Sequence, residues 1–159
     1  MHSTVKNLLD IKDNIKIHLN KLNINNNPKI VAVSKTFKID KILPLIEYGH
    51  SDYGENKVQE ALEKWTEIKR INPKIRLHMV GKLQTNKVKF AVQIFDYIHS
   101  VDSEKLARKI ADEQNKMNKL NNDLGLTELS MGMSSDYLIA AKNFSTYVRV
   151  GSSIFGQRS

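Results

Sequence analysis

The hydrophobic positions along this chain change period several times. From Thr4 to about Asn20, Val5, Leu8, Leu9, Ile15 and Leu19 recur at helical spacing, with Ser3 or Thr4 as the expected N-cap. Three consecutive asparagines and Pro28 then break the pattern. The run Lys29-Ile30-Val31-Ala32-Val33-Ser34 is apolar without alternation, which predicts a strand buried on both faces, as in a parallel sheet, ending at Lys35. Ile39, Ile42, Leu43 and Ile46 predict a helix over 38–48, with Pro44 in its first turn and Gly49 as its stop. A short strand and loop over 51–56 precede a helix lined by Val58, Ala61, Leu62, Trp65 and Ile68, which Pro73 ends. Trp65 reads as helix packing rather than as a binding platform.

A third strand is expected over 74–80, then a short helix ending near Gln93 and a fourth strand over 94–101. Asp102 or Ser103 caps a helix carrying Leu106, Ala107, Ile110 and Met117. After a polar break over 118–125, the pattern predicts a strand over 126–130, a helix over 136–143 and a last strand over 146–150. Six strands alternating with helices imply right-handed crossovers and a parallel sheet.

Composition narrows the function classes. At 159 residues, with a hydrophobic fraction of 40% and a charged fraction of 26%, the chain has globular values and the length of one domain. The absence of cysteine removes disulfides, thiolate metal sites and a cysteine nucleophile. The start of the chain is polar and no apolar run approaches a bilayer-spanning length, so the expectation is a soluble cytoplasmic protein without a membrane partner. The formal charge of +8 invites a nucleic-acid reading. The lysines are dispersed among acidic residues with no aromatic-basic ladder, so nucleic acid is not the expected ligand.

The chemistry centres on Lys35. An ammonium at the carboxyl edge of a buried strand sits where α/β folds place their reactive groups, and partial desolvation there favours the neutral, nucleophilic amine. One use of such an amine is an imine with an aldehyde; the other reading is a lysine that marks the strand's exit into solvent. Gly151-Ser152-Ser153 follows a strand and opens a helical turn, so its N–H groups and hydroxyls can converge on an anion, and Gly132-Met133-Ser134 does the same one strand earlier. In barrel folds the loops after the last two strands form a recurrent phosphate site, and closure would bring Lys35 beside them. Arg149, inside the last strand, needs an acceptor, either a carboxylate or a ligand. His78 lies on the third strand as a core histidine or a functional one. No histidines pair at metal-ligand spacing, so no metal site is expected, and no nucleophile elbow, P-loop or dinucleotide fingerprint occurs.

Five segments are familiar together: Ala32-Val33-Ser34-Lys35; Tyr53-Gly54-Glu55-Asn56-Lys57-Val58-Gln59-Glu60; His78-Met79-Val80-Gly81-Lys82-Leu83-Gln84-Thr85-Asn86-Lys87; Ser130-Met131-Gly132-Met133-Ser134-Ser135-Asp136; and Val148-Arg149-Val150-Gly151-Ser152-Ser153-Ile154-Phe155-Gly156. In this order they resemble the signature segments of the pyridoxal phosphate homeostasis protein family. The resemblance implies a TIM-type (β/α) barrel of the alanine racemase N-terminal-domain kind, in which Lys35 is the imine lysine holding pyridoxal 5'-phosphate. It further implies that Ser134, Gly151 and Ser152 bind the phosphate and that Arg149 approaches the pyridine ring. Asn56, near the cofactor, and His78, in the third-strand motif, complete the cofactor-binding residues that the resemblance implies. Tyr53 stands where phenylalanine is usual and Ser152 where threonine is common.

The departure from the family is large. A complete eight-stranded barrel takes about 250 residues. Here the helix after the fourth strand leads almost directly into the Ser130-Met131-Gly132-Met133-Ser134 segment, so about two βα units are missing, with the join near residues 120–126 of a single cofactor-binding domain over 1–159. The implied function is non-enzymatic: holding pyridoxal phosphate for intracellular homeostasis, with pyridoxal-phosphate-dependent apoenzymes as recipients and the choice of monomer or dimer left open. Two alternatives stand beside it. A racemase of the same fold would need a second base from a further domain that this chain lacks; a degenerate remnant would bind nothing.

Overall fold

Helix α1 (Ser3–Lys21) puts Val5, Leu8, Ile11, Ile15 and Leu19 on one buried stripe, the three-and-four spacing that a single helix face requires. Ile11 takes the place expected for Leu9, which is half-buried. The cap is neither Ser3 nor Thr4: the ring Nδ1 of His2 accepts the Thr4 N–H at 3.3 Å and pairs with the Thr4 hydroxyl at 2.8 Å. The computed structural model describes residues 1–117, 137–142 and 146–156. They fall into two compact units, one formed by 1–54 with the described part of 128–159, the other by the described part of 55–127.

The first unit is built on strand β1 (Lys29–Val33), whose Ile30, Val31 and Ala32 are buried, as a strand covered on both faces demands. It ends two residues before Lys35. The Ser34 N–H still reaches the Gly54 carbonyl at 2.9 Å, but the Phe37 N–H then closes a turn on the Ser34 carbonyl at 3.1 Å. Helix α2 (Ile39–Glu47) follows and buries Ile42 and Leu45 rather than the expected Leu43 and Ile46. Pro44 lies well inside this helix and not in its first turn. Its missing N–H deprives the Asp40 carbonyl of its i+4 donor, a cost that burial of Ile42 and Leu45, roughly 1.5–3 kcal/mol each, offsets. Gly49 ends the helix at φ +92°, a conformation that suits glycine.

Strand β2 (Asp52–Glu55) pairs parallel with β1, Ala32 opposite Tyr53 and Val33 opposite Gly54. On the other side of β1, strand β5 (Tyr147–Val150) also runs parallel, with Val31 opposite Arg149 and Ala32 opposite Val150. Helix α1 packs against α2, against α6 (Tyr137–Lys142) and against α7 (Ser152–Phe155).

Tyr53 is fully buried, with its hydroxyl donating to the His50 carbonyl at 3.0 Å. Burial, reinforced by the neighbouring Asp52 charge, pushes its phenol far above the usual range. The folded protein therefore keeps this proton after the unfolded chain has lost it. Stability should fall as pH rises above about 10, by at most about 1.4 kcal/mol per pH unit, and Tyr53→Phe should remove that component. Urea midpoints of both proteins from pH 9 to 11 check this; parallel curves would refute it.

In the second unit, helix α3 (Val58–Ile71) buries Val58, Ala61 and Trp65, while Leu62 and Ile68 are half-buried. Trp65 is core, as expected, and its indole N–H donates to Glu55 Oε1 at 2.9 Å. The Lys64 ammonium meets the same oxygen at 3.1 Å, so the buried Glu55 charge is compensated within its own unit. Strand β3 (Arg76–Met79) pairs parallel with β4 (Tyr97–Ile98). The strand expected over 94–101 is this short because Ile94 closes helix α4 (Val88–Ile94), where the Phe95 N–H still bonds the Ala91 carbonyl. Ser103 Oγ accepts the Leu106 N–H at 3.2 Å and caps α5 (Glu104–Met117), which buries Leu106 and Ile110 and exposes Ala107. Five strands occur among the described residues; the expected strand over 126–130 lies outside them.

Candidate functional site

Lys35 sits in the turn that follows β1, half-buried, and makes no hydrogen bond or ion pair with any described residue. Directly after it, Thr36 holds φ +68°, a left-handed conformation that a β-branched residue adopts only under constraint. Such strain collects where surrounding structure fixes a functional group. Replacing Thr36 with glycine should relieve it, partly offset by the entropy of a freer unfolded chain. We expect the urea midpoint to rise by an equivalent of about 1 kcal/mol or less; a clear fall would show that the Thr36 side chain holds the turn instead.

Opposite Val33, at the carboxyl end of β5, stands Gly151. A Cβ there would lie 3.3 Å from both the Val33 carbonyl oxygen and the Val33 Cβ, so only glycine fits easily. Strand β5 passes through it into α7, where Ile154 and Phe155 N–H groups turn back to the Gly151 carbonyl, both at 2.9 Å. The N–H groups of Ser152 and Ser153 stay uncommitted among the described residues, and both side chains are exposed. The turn and this loop are joined by Phe37 and Phe155, whose ring centroids are 5.0 Å apart, and Asn7 Nδ2 fastens α7 to α1 through the Ile154 carbonyl at 3.0 Å. An amine and a set of open N–H donors therefore share the carboxyl ends of adjacent parallel strands. Arg149 lies one step back on β5, half-buried between buried Val148 and Val150, with no carboxylate partner among the described residues.

In the second unit, Asn56 follows β2, and its side-chain oxygen is buried without a hydrogen-bond partner. An unsatisfied buried acceptor costs roughly 1–3 kcal/mol, which a ligand donor can recover. Gly81, just beyond β3, packs on this residue so closely that a Cβ would lie 2.6 Å from the Asn56 carbonyl oxygen and 2.8 Å from its Cα. His78 is fully buried, stacked on Tyr97 at 4.5 Å and 8° and hydrogen-bonded through Nδ1 to His99 Nε2 at 2.8 Å. These contacts are those of a core histidine. Ser134 lies outside the described residues.

Sequence reasoning named Lys35, Arg149, Gly151 and Ser152 as candidates, which the fold gathers at one end of one sheet segment. It missed the strained Thr36, the Phe37–Phe155 contact and the role of Gly81 against Asn56. Gly81 was visible inside a motif; the other two arise from a backbone torsion and a tertiary contact that carry no local signal.

Alternation of strands with helices, parallel pairing throughout the described residues and polar groups at the carboxyl ends of strands define an α/β protein of the (β/α)-barrel class. Solved structures agree: an unknown protein from Bifidobacterium adolescentis superposes with a TM-score of 0.83 at 22% identity over 96% of this chain and 94% of that one, which concerns the fold alone. PipY of Synechococcus elongatus, solved with PLP bound, gives a TM-score of 0.72 at 29% identity over 89% of this chain and 100% of that one. In sequence the chain is similar to the pyridoxal phosphate homeostasis proteins of several organisms. That of Buchnera aphidicola is 41% identical over 105 residues, covering 64% of this chain and 44% of that protein. That of Vibrio cholerae is 34% identical over 88 residues, covering 54% and 37%. The chain thus spans about two fifths of the length of the first curated relatives it matches. The Schizosaccharomyces pombe relative aligns over 229 positions at 28% identity, covering 98% of this chain and 94% of that protein. No family model matches the chain. No described helix is long and apolar enough to cross a membrane.

Proposed function

We propose that this chain binds pyridoxal 5'-phosphate at Lys35 and holds it in reserve, without catalysing a reaction, for delivery to pyridoxal-phosphate-dependent apoenzymes in the cytoplasm. The observation that carries this reading is the Lys35 amine, without a partner among the described residues, at the same strand ends as the open N–H groups of Ser152 and Ser153. Bound, the cofactor supplies a reactive aldehyde and a phosphate dianion. Lys35 offers the amine for the aldehyde. Gly151 and Ser152 offer backbone and hydroxyl donors for the phosphate, with Ser134 as a third contributor. Arg149, lacking a described carboxylate, is assigned to the ring, and the buried Asn56 oxygen to a donor on the ligand. His78 enters as a buried support of β3.

The same reading takes 1–159 as one shortened cofactor-binding domain with its join near 120–126. Its support is the long alignment: 229 positions accommodate at most 159 residues of this chain, so at least 70 have no counterpart here. The test is the visible absorbance of the purified protein with added pyridoxal phosphate, before and after borohydride, followed by peptide mapping. A new band that reduction fixes on Lys35 supports the proposal. A soluble, folded protein showing no band would refute it.

A further inference from the structure

The opposite end of the same strands carries a second cleft, of about 680 Å³, within the first unit. Its floor is apolar, made by Ile15, Leu19 and Ile30, all at most 5% exposed. Its walls carry Lys12 and Lys16 from one face of α1 and Lys29 from the start of β1. Asn20, Asn26 and Asn27 add amides. The volume is that of a small-molecule site.

The ammonium groups are held without being neutralised. Lys12 Nζ lies over the Tyr48 ring, 5.9 Å from its centroid, and Lys29 Nζ lies 5.2 Å from the Tyr147 centroid and 3.4 Å from its hydroxyl. Among the described residues none of the three lysines forms an ion pair. Lys12 and Lys16, four residues apart on a helix, repel each other, an arrangement that a bound anion would turn to advantage. Two carboxylates also line the cleft. Asp52 is only 4% exposed and accepts from the Ser51 hydroxyl at 3.2 Å, and Asp13 is paired with neither helix lysine. Lys29 opens β1 and Asp52 opens β2, so this cleft is at the amino ends of the strands. Lys35 and Gly151 are at the carboxyl ends, roughly 13 Å or more away along a five-residue strand.

We infer that this cleft is a second binding site, for a small polyanion bearing phosphate or carboxylate groups, independent of the Lys35 site. The test is a titration of the full chain with inorganic pyrophosphate and, separately, citrate, followed by amide NMR. Saturable shifts at Lys16, Asn20, Asn26 and Lys29 are expected, and the tighter of the two probes assigns phosphate or carboxylate chemistry. The double variant K12E/K16E, at exposed positions, should weaken that binding at least about tenfold, whereas the exposed control K74E/K89E, with the same charge change, should not. Shifts confined to Gly151, Ser152 and Ser153, no saturation, or equal loss in both variants would overturn the inference. Because the map separates the two ends of the strands, failure here and failure at Lys35 read out independently.

Discussion

Lys35→Ala is expected to abolish borohydride-fixed retention of pyridoxal phosphate while leaving the protein as stable as the parent to within about 0.5 kcal/mol. The Lys35 side chain is half-buried and has no partner among the described residues, so truncation leaves no buried group orphaned. The 151–153 loop keeps its geometry, since Phe37 and Phe155, not Lys35, join it to the turn. Reversible, anion-driven binding should therefore survive in the variant while covalent retention disappears. Lys35→Arg separates the two contributions further. The guanidinium keeps the positive charge but stays protonated, so it cannot act as an amine nucleophile. Equal fixation of cofactor in the parent and in Lys35→Ala, measured by mass after reduction, would move the site to another lysine.

Gly81→Ala should be the most damaging single methyl in the second unit. Its Cβ would have to occupy space 2.6–2.8 Å from the Asn56 carbonyl oxygen, Cβ and Cα, where backbone rather than a flexible side-chain end must move. The neighbouring Ser100 hydroxyl, which donates to the Gly81 carbonyl, restricts escape on the other side. Overpacking of this kind costs about 1–3 kcal/mol. For a chain of this size that corresponds to a fall in Tm of about 2–12 °C. A variant with parental Tm would show that Asn56 and Gly81 are not held together as described.

Periodicity carried much of the fold because each helix and strand buries its own stripe. The buried run 30–32, the helix over 58–71 with Trp65 inside it, and the break at Gly49 were all legible from spacing and from residues with strong backbone preferences. Boundaries were less so. Strand β1 stops at Val33 because a turn hydrogen bond to Ser34 outcompetes further ladder pairing. The His2 cap and the buried Ile11 depend on which atoms happen to lie nearby. Pro44 sits mid-helix because two fully buried side chains outweigh one lost hydrogen bond.

By itself the sequence determined the α/β class of the protein and its candidate residues: strands without polar alternation, a lysine just past the first of them, and a glycine-serine loop after the last. These are local properties, encoded in neighbouring side chains. Only the tertiary structure decided that Lys35 and the Gly151 loop share one end of adjacent strands, that Thr36 is strained, and that Gly81 is pressed against Asn56. Only it placed three lysines around a cleft at the strands' other end. Those relations depend on pairing register and packing between segments far apart in the chain, which no window of neighbouring residues encodes.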